Sequence, residues 1–211
     1  MLIIGFDIGI KNFAYCILEI SDATHPKIIA LENINLQCRK NETQKIIDRT
    51  IDLLDDILTE LPTTSEKIQV LIESQMTSAM KSIQTVINTF FKMQKKYQSL
   101  DIETKYISAK HKLNLIEKYS NSQTHTQAHT QAHTQAHTQA HTQTQTYIPH
   151  TTLATTSYRQ NKIDSVHFAK WLLGNKENKY YNEEILNKLK KEKKQDDLAD
   201  ALLMSIYFAE L

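Results

Sequence analysis

The stretch Leu2-Ile3-Ile4-Gly5-Phe6-Asp7 decides how the rest of the chain is read. A short apolar run leads straight into an acid. Its length and composition predict a buried strand. Burying an ionised carboxylate costs several kcal/mol unless a partner or a cation compensates. Asp7 is therefore a candidate for chemistry if other acids arrive at the same point.

Working outward, residues 13–20 form a second apolar run, with Gly9 between the two, and the pair predicts a β-hairpin. Gly5 and Gly9 are two of only three glycines in the chain, which implies a tight turn or close backbone approach beside Asp7. Residues 27–36 carry Ile28, Ile29, Leu31, Ile34 and Leu36 and predict a third strand, completing an antiparallel meander. Asn41 with Gln44 three residues on resembles a helix-capping box. Ile47, Ile51, Leu54, Leu58 and Leu61 then give one helical face, which Pro62 ends.

Residues 69–73 repeat the opening pattern, since Val70-Leu71-Ile72 again runs into an acid, Glu73. Following a helix, this strand is expected to pair parallel to the first through a crossover. A helix over 78–98 presents Ile83, Ile87, Phe90 and Tyr97, with Phe91 and Met93 widening the face. A strand over 102–107 and a helix over 109–119, with Leu113 and Ile116 inward, come next. A helix beginning near Tyr158 ends near Gly174, and a last helix over 196–210 aligns Leu198, Leu202, Ser205 and Ala209. Asp196, Asp197 and Asp200 sit in its first turns, where the helix dipole alone favours acids.

Residues 120–157 break the pattern with a Thr-Gln-Ala-His repeat that sets histidines at 125, 129, 133, 137 and 141. Such a segment cannot bury enough apolar surface to offset its ordering entropy, so it reads as a disordered insertion in a single domain spanning 1–211. Histidines four apart would share a helical face and could bind metal, but threonine at every fourth position disfavours that helix.

The 25 basic and 24 acidic residues nearly cancel, so global charge does not announce a nucleic-acid binder. Locally, Lys188, Lys190, Lys191, Lys193 and Lys194 crowd together, which by itself describes a solvated helix end. No apolar run approaches the roughly 20 residues that span a bilayer, and no secretion signal opens the chain. Cys16 lies in a strand pattern, so it and Cys38 are expected to be free buried thiols in a reducing compartment.

If the two acid-terminated strands are adjacent and parallel, Asp7 and Glu73 leave the sheet together. A helix packed on that sheet could bring Asp197 and Asp200, three apart, alongside. Clustered carboxylates repel unless cations lie between them, and an all-oxygen set suits Mg²⁺ or Mn²⁺. Two such ions about 3.5–4 Å apart would support phosphodiester hydrolysis. The order of the acids on a β-β-β-α-β-α-β-α plan is that of the RNase H-like fold, an α/β architecture with a mixed five-stranded sheet flanked by helices.

The residues also resemble a specific family. Gly5-Phe6-Asp7-Ile8-Gly9-Ile10-Lys11-Asn12-Phe13-Ala14-Tyr15-Cys16 is similar to the first motif of RuvC-like Holliday junction resolvases. Ile72-Glu73-Ser74-Gln75 resembles their second acidic motif, and Lys193-Lys194-Gln195-Asp196-Asp197-Leu198-Ala199-Asp200-Ala201-Leu202 their last. The wording is closer to the poxviral and mitochondrial branch than to the bacterial one. The His-rich repeat has no place in the family pattern.

The resemblance implies a homodimeric, Mg²⁺- or Mn²⁺-dependent endonuclease acting on four-way DNA junctions, with two ions per site. It carries the catalytic acids onto Asp7, Glu73, Asp197 and Asp200, with Asp7 bridging the metals and Asp196 a substitute for Asp197. It also places a lysine just after the fifth strand, either Lys112 or, as runner-up, Lys110, to balance phosphate or transition-state charge. Lys190, Lys191, Lys193 and Lys194, with Lys11 and Asn12, become candidates to touch the DNA backbone. Poxvirus-like wording implies a virus replicating in host cytoplasm, with a mitochondrial origin as the alternative and no Arg-rich extension before Met1. The rival readings are a YqgF-like RNA-processing nuclease on the same fold and, more distantly, an actin-like kinase or ATPase, which glycines at only 5, 9 and 174 make hard to build.

Overall fold

The computed structural model describes residues 1–21, 25–62, 67–98, 100–108, 110–130 and 158–211. The strands are β1 (Leu2–Asp7), β2 (Phe13–Glu19), β3 (Lys27–Ile34), β4 (Ile68–Glu73) and β5 (Ile102–Ile107). The helices are α1 (Thr43–Glu60), α2 (Ser78–Tyr97), α3 (His111–Thr130), α4 (Tyr158–Gly174), α5 (Glu183–Lys191) and α6 (Gln195–Ala209). The five strands form one sheet in the order β3-β2-β1-β4-β5. β1 is central, antiparallel to β2 and parallel to β4, with Phe6 opposite Ile72. That register carries Asp7 and Glu73 out of the sheet side by side.

Alternation along β1 assigns its side chains to two cores. Leu2, Ile4 and Phe6 point into a cluster with Ile46, Leu54 and Ile57 of α1 and Ile83, Ile87 and Phe91 of α2. Ile3 and Leu71 point to the other face, with Leu198, Leu202 and Ile206 of α6 and Phe168 and Leu172 of α4. By the same parity Gly5, Asp7 and Glu73 face α6. A Cβ on Gly5 would stand 2.4 Å from Ser205 Oγ and 3.0 Å from the Ala201 carbonyl oxygen, so α6 crosses β1 where only glycine leaves room. At Gly9 a Cβ would fall 2.5 Å from the Asn12 carbonyl oxygen, which holds the β1–β2 turn tight.

Several local expectations shift. The buried face of α1 is Ile46, Thr50, Leu54 and Ile57 rather than Ile47, Ile51, Leu54 and Leu58, and Ile51 is exposed. Thr50 is tolerated inside because its hydroxyl donates to the Ile46 carbonyl at 2.7 Å. Asn41 does not cap α1; Glu42 is the cap residue, and its carboxylate accepts from the Arg39 N–H at 2.6 Å. On α2 it is Phe91, against Phe6, that is fully buried, whereas Tyr97 is exposed. α6 is buried on every side from Leu198 to Ile206 because it lies between the sheet and helices α3 and α4. Helix α5, which the sequence offered only as a solvated helix end, is capped by Asn182, whose side chain accepts from the Ile185 N–H at 3.0 Å. α3 continues to Thr130, into the expected insertion, and residues 131–157 with the rest of the repeat lie outside the described ones. Among the described residues no helix is long and apolar enough to cross a membrane. Cys16 and Cys38 are free and buried.

Candidate active site

The ends of β1, β4 and β5 and the first turns of α3 and α6 meet in a recess lined by Asp7, Glu73, Ser108, His111, Lys112 and Asp200, with Ile107 and Met204 as its apolar wall. Each acid arrives by a different route. Asp7 and Glu73 are the last residues of parallel neighbours, and the Ser74 N–H donating to the Ile107 carbonyl at 2.9 Å fixes where β4 ends against β5. Asp200 reaches the recess because α6 sits directly on Gly5, one residue from the Ala201 contact.

Electrostatics mark the cluster as unstable without compensation. Burial, then a hydrogen bond to Glu73 and the charges of Glu73, Asp200 and Asp197, hold the Asp7 carboxyl well above the usual range. Burial also raises Asp200, against the pull of Lys112. Asp197 is pushed up to about 6, chiefly by burial and then by the adjacent Asp196. Asp196 goes the other way: burial opposes ionisation, but its bond to Lys162 outweighs that and lowers it.

Lys112 donates to Asp200 Oδ2, and both side chains are nearly buried. Lys110 is exposed; its backbone, not its ammonium, makes the local hydrogen bonds. Of the lysine pair offered by the sequence, the fold therefore brings Lys112 to the acids. We expect Lys112→Met to lower cleavage of a phosphodiester substrate by about a hundredfold, and Lys110→Met to stay within a few-fold of the parent in the same assay. The reverse ranking would transfer the role to Lys110.

Asp197 lies on the other side of Asp7, in a neighbouring groove with Lys11 and Asn12. Lys193 lines a further groove with Arg159, Lys162, Lys170 and Asp196, and the charge of Lys194 is felt at both Asp196 and Asp197. Lys190 and Lys191 close α5, where cations suit the helix dipole, and neither lines these grooves. Lys188 is paired with Glu32.

Three polar residues here have a role that the sequence does not assign. Gln75 donates from Nε2 to Glu73 Oε2 at 3.1 Å and from its backbone N–H to Gln84 Oε1 at 3.0 Å, so it orients the second acid. His111 stacks on Tyr207 with ring centroids 4.8 Å apart. Lys162 partners Asp196 from α4. Gln75 was within reach of a reader, two residues past Glu73; Lys162 gives no local signal.

The donor set fits hard divalent cations. Asp197 Oδ2 and Asp200 Oδ1 are buried oxygens without a hydrogen-bond partner, and every candidate ligand is a carboxylate. As the side chains stand, no group of three or more His, Cys, Asp or Glu among the described residues is arranged around a metal position. Lys112 is bonded to Asp200 Oδ2, and Asp7 to Glu73.

Comparison with known proteins gives a consistent result. The family described as Poxvirus A22 protein matches residues 1–105. A fowlpox virus resolvase, solved with substrate Holliday junction DNA, superposes with a TM-score of 0.52 at 19% identity, covering 100% of this chain and 97% of its own. The yeast mitochondrial Holliday junction resolvase gives a TM-score of 0.59 at 16% identity, covering 98% and 78%. Thermus thermophilus RuvC gives 0.50 at 11%, covering 100% and 96%. No curated protein matches. At these identities the structural likeness shows the fold, which is the RNase H-like one.

Proposed function

We propose that this chain, whose residues 1–105 match the poxvirus A22 protein family, is a metal-dependent endonuclease that resolves four-way DNA junctions by paired phosphodiester hydrolysis. The observation that carries this reading is the meeting of Asp7, Glu73, Asp200 and Lys112 in one recess, on a fold whose solved relatives are junction resolvases. Asp7, Glu73, Asp197 and Asp200 would hold Mg²⁺ or Mn²⁺, two ions per site. When bound, such ions supply an activated water and neutralise the leaving oxygen.

The chain's own residues do the rest. Gln75 holds the Glu73 carboxylate in place. Burial and the neighbouring Glu73 hold the Asp7 carboxyl above its usual range, so a cation bound there would favour its ionised form. Lys112 supplies an ammonium at the rim, to meet the negative charge of the phosphate. Two copies acting together would give the paired nicks, and exposed Met93 and Tyr97 on α2 offer apolar surface for that pairing. The site of action would be the cytoplasm of an infected host cell. The test is a synthetic four-way junction with and without Mg²⁺ or Mn²⁺. Symmetric paired nicks support the proposal; equal cutting of linear duplex, or preference for structured RNA in competition, defeats it.

Metal binding can be read without activity. Asp7, Asp197 and Asp200 have carboxyls raised above the ordinary value of 3.8. Their folded forms therefore favour protonation: this stability is present below the unfolded value and is lost as pH rises through the folded one, which for Asp197 is about 6. Asp196 and Glu210 are lowered and act oppositely, losing their contribution only as pH falls below the ordinary carboxylate range. Mg²⁺ at about ten times its dissociation constant should then raise Tm by about 3–6 °C at pH 7.5, and by much less at pH 5. Equal shifts at the two pH values, or none, would show that these acids do not bind the ion.

A further inference from the structure

Beside the acid recess runs a larger groove, about 1620 Å³ with its open mouth, that the site description used only for Asp197 and Lys11. Asp7 and Asp197 lie at its inner end. Its near wall is the β1–β2 turn with Ile8, Gly9, Ile10, Lys11 and Asn12, and its far wall is Thr77 to Met80 at the start of α2. The third side is the segment joining β3 to α1, which contributes Cys38, Arg39 and Lys40.

The connecting segment is built to present those cations. Gln37 takes the left-handed conformation, φ 55°, and its N–H donates to Asn35 Oδ1 at 2.8 Å, so the chain turns sharply after β3. Cys38 is then buried, with its thiol donating to the Leu36 carbonyl at 3.1 Å, which turns Arg39 and Lys40 toward solvent at the rim. The nearby Glu42 carboxylate is engaged by the Arg39 backbone N–H. Among the described residues Lys11, Arg39 and Lys40 have no ion-pair partner, unlike Lys112, Lys162 and Lys188. α2 carries no acid in its first turn, so nothing there offsets the positive field.

We propose that this groove is the track for one nucleic-acid strand, with Lys11, Arg39 and Lys40 holding the phosphates that flank the bond delivered to Asp7. The proposal rests on the nuclease reading and adds to it a path and two residues, Arg39 and Lys40, that sequence reasoning did not single out. Three unpaired cations around a groove ending on metal-type acids match a polyanion that must reach a cation site. The apolar floor of Ile8, Ile10 and Met80 suits sugar and base surfaces rather than a second charged partner.

The test measures binding of a fluorescent four-way junction without divalent metal, across a salt series, for the parent protein, Arg39→Gln/Lys40→Gln and a control, Lys67→Gln. Lys67 pairs with Glu103 at the opposite end of the sheet. The double variant should bind about tenfold or more weakly near 0.15 M salt, with its log–log salt slope reduced by roughly 2. The control should match the parent in both measurements. In parallel, bound junction should protect Lys11 and Lys40, but not Lys67, from an amine-reactive label read by mass spectrometry. Parent-like affinity and slope in the double variant, or unprotected Lys11 and Lys40, would overturn the groove assignment while leaving the nuclease reading intact. A parent protein that binds no junction at all would instead remove the nuclease reading on which the track rests.

Discussion

Asp7→Asn is expected to reduce Mg²⁺-dependent junction cleavage by about a thousandfold or more, with junction binding kept within a few-fold and thermal stability unchanged or slightly raised. The three outcomes follow from one position. Asp7 lines the recess together with Glu73 and Asp200 and also lines the groove that contains Asp197. It is the residue common to both halves of the proposed metal site, and its loss removes a ligand from each. Binding survives because the proposed phosphate contacts lie elsewhere. Stability survives because asparagine keeps the shape and discards a charge that burial already opposes. Single-turnover cleavage beside a thermal melt would check all three. Cleavage within tenfold of the parent would remove Asp7 from the chemistry whatever the melt shows.

Asp7 was legible in the sequence because a strand leaves its acid where the strand ends, and parity then fixes the face. The same logic served Glu73, since a helix between two strands implies a parallel neighbour. The convergence itself was less legible. Lys112 and Asp200 are 88 positions apart, and only the packing of α3 against α6 joins them. Helix faces failed where an apolar count was the sole guide. On α1 the inward row passes through Thr50, which hydrophobic periodicity passes over, although its hydroxyl is satisfied within the helix. On α2 the sequence puts Phe90 on the inward row and Phe91 at its margin, whereas Phe6 on β1 selects Phe91. The cations at Arg39 and Lys40 went unnoticed because nothing local connects a turn after β3 with an acid on β1.

Gly5→Val is expected to cost about 3 kcal/mol or more of stability and to lower cleavage by about a hundredfold in whatever protein remains folded. The reason lies in a contact that involves no catalytic group. A Cβ at Gly5 would meet Ser205 Oγ at 2.4 Å, the Ala201 carbonyl oxygen at 3.0 Å and Met204 Cε at 3.4 Å. The methionine end can swing away. The serine can do so only by giving up its 3.0 Å hydrogen bond to the Ala201 carbonyl, and that carbonyl belongs to helix backbone. Relief must therefore come from α6 lifting off β1. Ala201 is next to Asp200, so the lift carries Asp200 away from Asp7 and strains its pairing with Lys112. Total stability of about 5–15 kcal/mol makes such a loss visible as a large fall in Tm. A second pair of variants separates the two contacts. Gly5→Ala combined with Ser205→Gly removes the 2.4 Å clash but leaves the backbone one. It should recover much of the stability lost in Gly5→Ala alone and little of the activity. Full recovery of both would mean that the serine alone set the spacing. A fully stable and active Gly5→Val protein would mean that α6 does not ride on β1 at this point, and that Asp200 owes its position to something else.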